Sequence, residues 1–152
     1  FVKALKDSNE NYVVIYPNND LGSQQILKTY EALVDDTSFK ILPSVRFEYF
    51  LTLLKNSKFI IGNSSAGVRE APYYGIPTVN IGTRQLNRVL GESIINCQAK
   101  KVDILNAIET AKTITPKAVE VFGRGNSAQL FLDSLEQKEI WQINHQKQFR
   151  DA

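Results

Sequence analysis

An α/β fold, a parallel sheet with helices on both faces, is what this sequence predicts, and three observations predict it. Short β-rich apolar runs alternate with longer segments of helical spacing along most of the chain. Gly, Pro, Asn and Ser punctuate the junctions between them. The length, 152 residues, suits one domain with its own core and not two of ordinary size.

The elements follow in order. Phe1 to Asp7 reads as the tail of a helix. Tyr12 to Tyr16 is a β-rich run that enters a loop at Pro17-Asn18-Asn19-Asp20. Gly22-Ser23 offers a cap, and Ile26, Leu27, Tyr30, Leu33 and Val34 carry helical spacing. Lys40-Ile41-Leu42 is a short strand that a proline follows. Phe47, Phe50, Leu51, Leu53 and Leu54 then make a helix leading into a strand at Phe59 to Ile61. The next helix is expected from Ala66 to about Gly75, with Pro77 enforcing its end. Thr78 to Ile81 and Ile94 to Cys97 are the fourth and fifth strands. Val102, Leu105, Ile108, Ala111 and Ile114 form a helical stripe closed by Pro116. A last helix, capped by Asn126 or Ser127, takes its apolar face from Leu130, Phe131 and Leu135, extended by Ile140 and Trp141. Beyond Ile143 a polar tail is an equal reading.

The chemistry concentrates in the third junction. A strand delivers Gly62-Asn63-Ser64-Ser65 into a helix start, where first-turn N–H groups lack helical partners and face an anion favourably. Ser64 and Ser65 add hydroxyls, and Ala66 and Gly67 are small enough for close approach of a ligand to the backbone. Glu70 lies about 1.7 turns beyond Ser64 at 3.6 residues per turn. A carboxylate there repels a phosphate, so a hydroxyl-rich group such as ribose is its better partner. Arg84 arrives on the loop after the next strand, on the same sheet edge, and its planar fork suits a diphosphate. By local pattern alone, serines at such a junction are ordinarily caps, Glu70 a solvated helix residue and Arg84 a surface charge.

The segments Asn63-Ser64-Ser65-Ala66-Gly67-Val68-Arg69-Glu70-Ala71 and Gly75-Ile76-Pro77-Thr78-Val79-Asn80-Ile81-Gly82-Thr83-Arg84-Gln85 closely resemble the C-terminal half of hydrolysing UDP-N-acetylglucosamine 2-epimerases. Tyr16-Pro17-Asn18-Asn19-Asp20-Leu21-Gly22-Ser23 and Val121-Phe122-Gly123-Arg124-Gly125-Asn126 agree as well, all in the family's order. The resemblance implies a Rossmann-like sheet forming the C-terminal half of a two-domain glycosyltransferase-B-type fold. It implies that Ser64 and Ser65 hold the diphosphate, Glu70 the ribose hydroxyls and Arg84 a further nucleotide contact. Asn18 matches a nucleotide-site residue on the first loop, with Asp20 shaping the pocket, and the backbone around Val45 passes near the uracil. Gly67 belongs to the same matched block.

For the intact enzyme the resemblance implies elimination of UDP across C1 and C2 of UDP-N-acetylglucosamine, then addition of water. The products are N-acetylmannosamine and UDP, feeding sialic or related nonulosonic acid synthesis, with no metal or redox cofactor. The acids and bases of that chemistry come mainly from the other domain, so no catalytic residue is expected in this chain. Non-hydrolysing epimerases share the fold but show Asp-Ser-Gly-Gly and a Glu-Glu pair where this chain has Asn63-Ser64-Ser65-Ala66 and Arg69-Glu70. A UDP-sugar glycosyltransferase domain and a non-enzymatic nucleotide sensor are further alternatives.

Other features bound the reading. The chain starts at Phe1 and contains no methionine, which fits a fragment better than a complete gene product; the resemblance implies a homo-oligomer for the full-length enzyme. Its partners would be the UDP-sugar and an N-terminal domain, toward which residues 127–152, with Trp141 and Phe149, would pack. Net charge is +2 with acids and bases interspersed, which supports neither a nucleic-acid nor a membrane partner. One Cys and one His exclude an internal disulfide and any familiar zinc spacing. No apolar run nears the ~18 residues of a bilayer span, and no signal peptide is visible, so a cytoplasmic location is expected. Cys97 reads as a buried thiol, Phe47 as core, and Tyr73 and Tyr74 as packing a helix onto the sheet. His145, in a polar tail without an acidic partner, reads as non-catalytic.

Overall fold

The computed structural model describes residues 1–19, 21–88 and 91–142. Eleven regular elements alternate in the expected manner: α1 (Val2–Asp7), β1 (Tyr12–Ile15), α2 (Ser23–Tyr30), β2 (Phe39–Leu42), α3 (Phe47–Lys55), β3 (Ile60–Gly62), α4 (Ala66–Arg69), β4 (Thr78–Ile81), β5 (Ile94–Cys97), α5 (Lys101–Thr113) and α6 (Ser127–Glu136). Every strand pairing is parallel, as the alternation of strand and helix requires. Phe1–Val119 forms one compact unit, and the chain from Glu120 onward forms another.

The five strands form two ladders rather than one: β1 pairs with β2, and β4 lies between β3 and β5. Side chains close the seam instead of backbone hydrogen bonds. Tyr12 stacks on Phe39, its register partner in β2, with ring centroids 5.4 Å apart. It also meets Phe59, at the entry to β3, edge to face at 6.2 Å. Ala4, Leu5, Val14, Leu33, Phe39, Ile104 and Ile108 make the principal core, with Phe59, Ile61, Ile81 and Cys97 packed against it.

Successive residues of β4 point to opposite faces. Thr78 meets Gly67 of α4 on one side, and Val79 packs on Ala107 and Ala111 of α5 on the other. Helices therefore cover both faces of the sheet at β4. The buried stripe of α5 is Ile104, Ala107, Ile108 and Ala111, the spacing expected of a single helix face. Val102, placed on that stripe by the sequence reading, is 66% exposed. Leu33 is fully buried from a 3-10 turn after α2, and Val34, one residue on, faces out.

In the second unit, α6 buries none of its residues, and Leu130, Phe131 and Leu132 are exposed. Asn126 takes the N-cap position without a side-chain capping bond. Trp141 lies in the following 3-10 turn and donates its indole N–H to the Leu135 carbonyl at 2.8 Å. Asp20, His145 and Phe149 lie outside the described residues. Among the described residues no helix is long and apolar enough to cross a membrane.

Glu10 ties three parts of the first unit together, accepting from Lys58 at 2.8 Å and from Lys112 at 3.1 Å. The Lys58 ammonium holds the Glu10 carboxyl below its ordinary 4.5; burial opposes this and Lys112 reinforces it. A depressed carboxyl stabilises the fold above its unfolded pKa, and that contribution is lost as pH falls through the folded value. Lys58 is largely exposed, so solvent screening limits the effect. Glu10→Gln should destabilise the protein at neutral pH by no more than about 1 kcal/mol. In urea melts the difference from wild type should close as the pH is lowered past 4.5. A difference that stays constant into acid would remove the ion pairs from the account.

Candidate functional site

The chemistry-bearing residues lie where strands end. Ser64 and Ser65 follow β3, and Arg84 follows β4. Because β3 and β4 are parallel neighbours, the two loops open on one edge of the same ladder. Gly62 closes β3 with φ +144°, a conformation that L side chains rarely adopt, and so turns the strand into the loop. Ser64 Oγ accepts from the Ala66 amide at 3.3 Å, a local Asx-like turn that orders the entry to α4.

Helix α4 is shorter than the sequence pattern suggests. It ends at Arg69, and a separate 3-10 turn covers Pro72–Tyr74 before Gly75. Pro72 has no N–H to donate to the residue four before it, so the ladder breaks there. A single α-turn carries little macrodipole. The anion-holding capacity of this edge therefore rests on individual groups: the serine amides ahead of the ladder, the serine hydroxyls and Arg84. Arg84 is exposed and, among the described residues, forms no ion pair.

Gly67 has a different role from the one its sequence position suggested. Its amide already donates to Ser64 O at 3.2 Å. A Cβ at this position would lie 2.5 Å from Thr78 Cγ2. Thr78 Oγ1 donates to Gly67 O at 2.6 Å, a buried bond. The glycine thus permits helix and strand to touch, and its side-chain direction faces the sheet rather than a ligand.

Glu70 sits just after α4, and its Oε2 is buried without a hydrogen-bond partner. A buried carboxylate oxygen with no donor is costly and calls for an explanation outside the chain's own contacts. Gln85 is the residue that sequence reasoning missed. It is 3% exposed, and its Nε2 donates to Asn63 O at 2.9 Å, which bridges the loops after β3 and β4. The only local signal was its place beside Arg84.

Asn18 and Val45 lie on loops of the other ladder, after β1 and β2. Val45 lines an open cavity of about 520 Å³ with Leu42, Ser44, Arg46, Tyr49 and Leu53. Phe47, expected in the core, is 59% exposed and pairs with Phe50. Tyr73, expected to pack onto the sheet, is 47% exposed and meets Tyr74 edge on. Cys97 is half-buried at the end of β5. Burial, and then the charge of Asp103, push its thiol up, so it stays protonated and is a poor nucleophile. The space between Gly62, Ser64, Gly67 and Thr78 is only about 10 Å³, so helix and strand are packed together there and a ligand has to lie outside that contact, on the ledge of loops.

Parallel strands, helices on both faces and small-residue loops at the strand ends define a Rossmann-like α/β class of domain. The sequence model of the family described as UDP-N-acetylglucosamine 2-epimerase matches residues 1–136, and the chain belongs to that family. It is 43% identical, over 99% of its length, to UDP-N-acetylglucosamine 2-epimerase of Neisseria meningitidis serogroup B, and spans 41% of that protein. It is 27% identical over 72% of its length to the hydrolysing UDP-N,N'-diacetylbacillosamine 2-epimerase of Legionella pneumophila, and covers 29% of it. The fold is shared with UDP-GlcNAc 2-epimerase of Methanocaldococcus jannaschii, solved in complex with UDP-GlcNAc and UDP. That match has a TM-score of 0.73 at 18% identity, over 88% of this chain and 38% of the other.

The Gly67–Thr78 contact gives a direct test. Gly67→Ala should destabilise the protein by about 1–3 kcal/mol through overpacking. Thr78→Ser, which removes the clashing Cγ2 and keeps the hydroxyl, should recover part of that loss in the double variant. Thermal melts of the two single variants and the double variant measure it; strict additivity of the two losses would rule the steric account out.

Proposed function

We propose that this chain is the nucleotide-binding half of a hydrolysing UDP-N-acetylglucosamine 2-epimerase with a two-domain glycosyltransferase-B-type architecture. Family membership and the hydrolysing activity named for the Legionella relative support the reading. The observation that carries it is the parallel pairing of β3 and β4, which brings the Ser64–Ser65 loop and the Arg84 loop to one edge of the ladder, with Glu70 just after α4. Phosphate oxygens need donors, and ribose hydroxyls need an acceptor; the ledge has each kind.

In this reading Ser64 and Ser65 hold the diphosphate with their amides and hydroxyls, and Arg84 adds charge-assisted bonds. Glu70 accepts from the ribose hydroxyls. Asn18 and the backbone at Val45 complete the nucleotide site from the other ladder, and Gly67 shapes the ledge from behind. The diphosphate gains charge as it leaves C1, so fixed donors at the ledge stabilise the transition state more than the ground state. The groups that move protons at the sugar carbons belong to the rest of the protein. The exposed apolar residues of α6 (Leu130, Phe131 and Leu132), together with Trp141, are assigned to contact with that part.

The complete enzyme, given UDP-N-acetylglucosamine and no acceptor, should release free UDP and N-acetylmannosamine. Recovery of an intact UDP-sugar epimer instead would assign it to the non-hydrolysing branch, and a requirement for an acceptor would make it a transferase. The 152-residue chain alone should show no turnover. Glu70→Ala in the complete enzyme should weaken UDP binding about 10- to 100-fold, the range for a hydrogen bond to a charged group. Its melting temperature should stay level or rise, because a buried oxygen without a partner is removed. Calorimetric titration with UDP reads the first effect, and undiminished affinity would take Glu70 out of the site.

A further inference from the structure

Two loops carry the anion-binding groups, and one side chain joins them. Gln85 is almost fully buried, and its Nε2 donates to the carbonyl oxygen of Asn63 at 2.9 Å. Asn63 immediately precedes Ser64, and Arg84 immediately precedes Gln85. The loop that bears Gln85 is itself turned: Leu86 N–H donates to Thr83 O at 3.1 Å and Arg88 N–H to Gln85 O at 3.4 Å.

The direction of the bond matters. In a planar trans peptide the C=O of one residue and the N–H of the next point opposite ways. A bond that fixes the Asn63 carbonyl toward Gln85 therefore aims the Ser64 N–H away from Gln85. The same residue pins the loop on which Arg84 stands.

Gln85 Oε1 is buried with no hydrogen-bond partner. If the position needed only volume, an apolar side chain of similar size would fill it and leave no such orphan. The amide is retained at that cost for its donor. An apolar side chain could not replace it, since it offers the carbonyl oxygen no donor.

We propose that Gln85 is a positioning residue for the diphosphate: it sets the Asn63–Ser64 peptide plane and holds the loop of Arg84 beside it. The proposal rests on the reading of this ledge as a UDP site and adds to it a residue that touches no substrate. Its effect falls on the phosphate end of the ligand, since neither Glu70 nor the Val45 loop is bonded to Gln85.

The test uses the complete enzyme with Gln85→Leu and Gln85→Met, which differ in branching and share the loss of the donor to Asn63. UDP and uridine are titrated as competitors of turnover, and each variant is melted. Both variants should bind UDP about tenfold more weakly, the effect of one lost hydrogen bond in a charged site. Uridine, which lacks the diphosphate, should compete as it does with wild type. Unchanged UDP affinity in either variant, or equal losses for UDP and uridine, overturns the positioning role; equal losses mark general loosening of the fold. A wild-type enzyme that fails to bind UDP overturns the reading of the ledge and this proposal with it, so the two failures are told apart.

Discussion

The close approach of α4 to β4 is the constraint on which the rest of the ledge depends. It requires a residue without Cβ at position 67, because Thr78 Cγ2 occupies the space that a side chain would take. The buried bond from Thr78 Oγ1 to Gly67 O then locks helix to strand at 2.6 Å. Val79, the next residue, anchors the opposite face of the same strand on Ala107 and Ala111. With β4 held from both sides, the end of β3 and the end of β4 stand at a fixed separation. Only then can a side chain as short as Gln85 span from one loop to the other.

Much of this was legible in the sequence, for physical reasons that differ by element. Strands such as Tyr12–Ile15 and Thr78–Ile81 announce themselves because short β-rich runs bounded by turn residues leave little else for the chain to form, although Val13 is exposed and Asn80 is buried. The loops bearing Ser64, Ser65 and Arg84 follow from strand order alone. Helix phase was less secure. In α5 the residues at 102 and 105 and those at 104, 107, 108 and 111 both offer helical spacing, and only contact with Val79 and the α1 core decides between them. Helix α4 ends earlier than its apolar spacing implies because Pro72, not Pro77, is the first residue without an N–H to continue the ladder.

The pairings least legible were those between residues far apart in the chain. Gly67 was read as an opening for a ligand because local patterns cannot show that Thr78 stands over it. Gln85 could not be distinguished from any polar loop residue until its bond to Asn63 was seen. The division of the strands into two ladders was hidden for the same reason. Tyr12 and Phe59 both look like ordinary strand aromatics, yet they meet across the seam where backbone pairing is missing.

On the proposed reading, these long-range pairings are also where the chemistry would be decided. A departing diphosphate gains charge, and donors that must swing into place to meet it return part of their benefit as reorganisation. A serine hydroxyl and an arginine side chain turn about single bonds, so neither is preorganised by its own covalent structure. The backbone amide of Ser64 is different, because its direction is fixed as soon as the Asn63 carbonyl is fixed. The α-turn behind it is too short to supply a large dipole, so direction has to substitute for field strength. Gly67, Thr78 and Gln85 supply that direction from positions that need never touch the substrate. Glu70 stands in contrast, at the C-terminal end of the single turn of α4, so on the proposed reading its carboxylate meets the hydroxyls of the ligand rather than its phosphates.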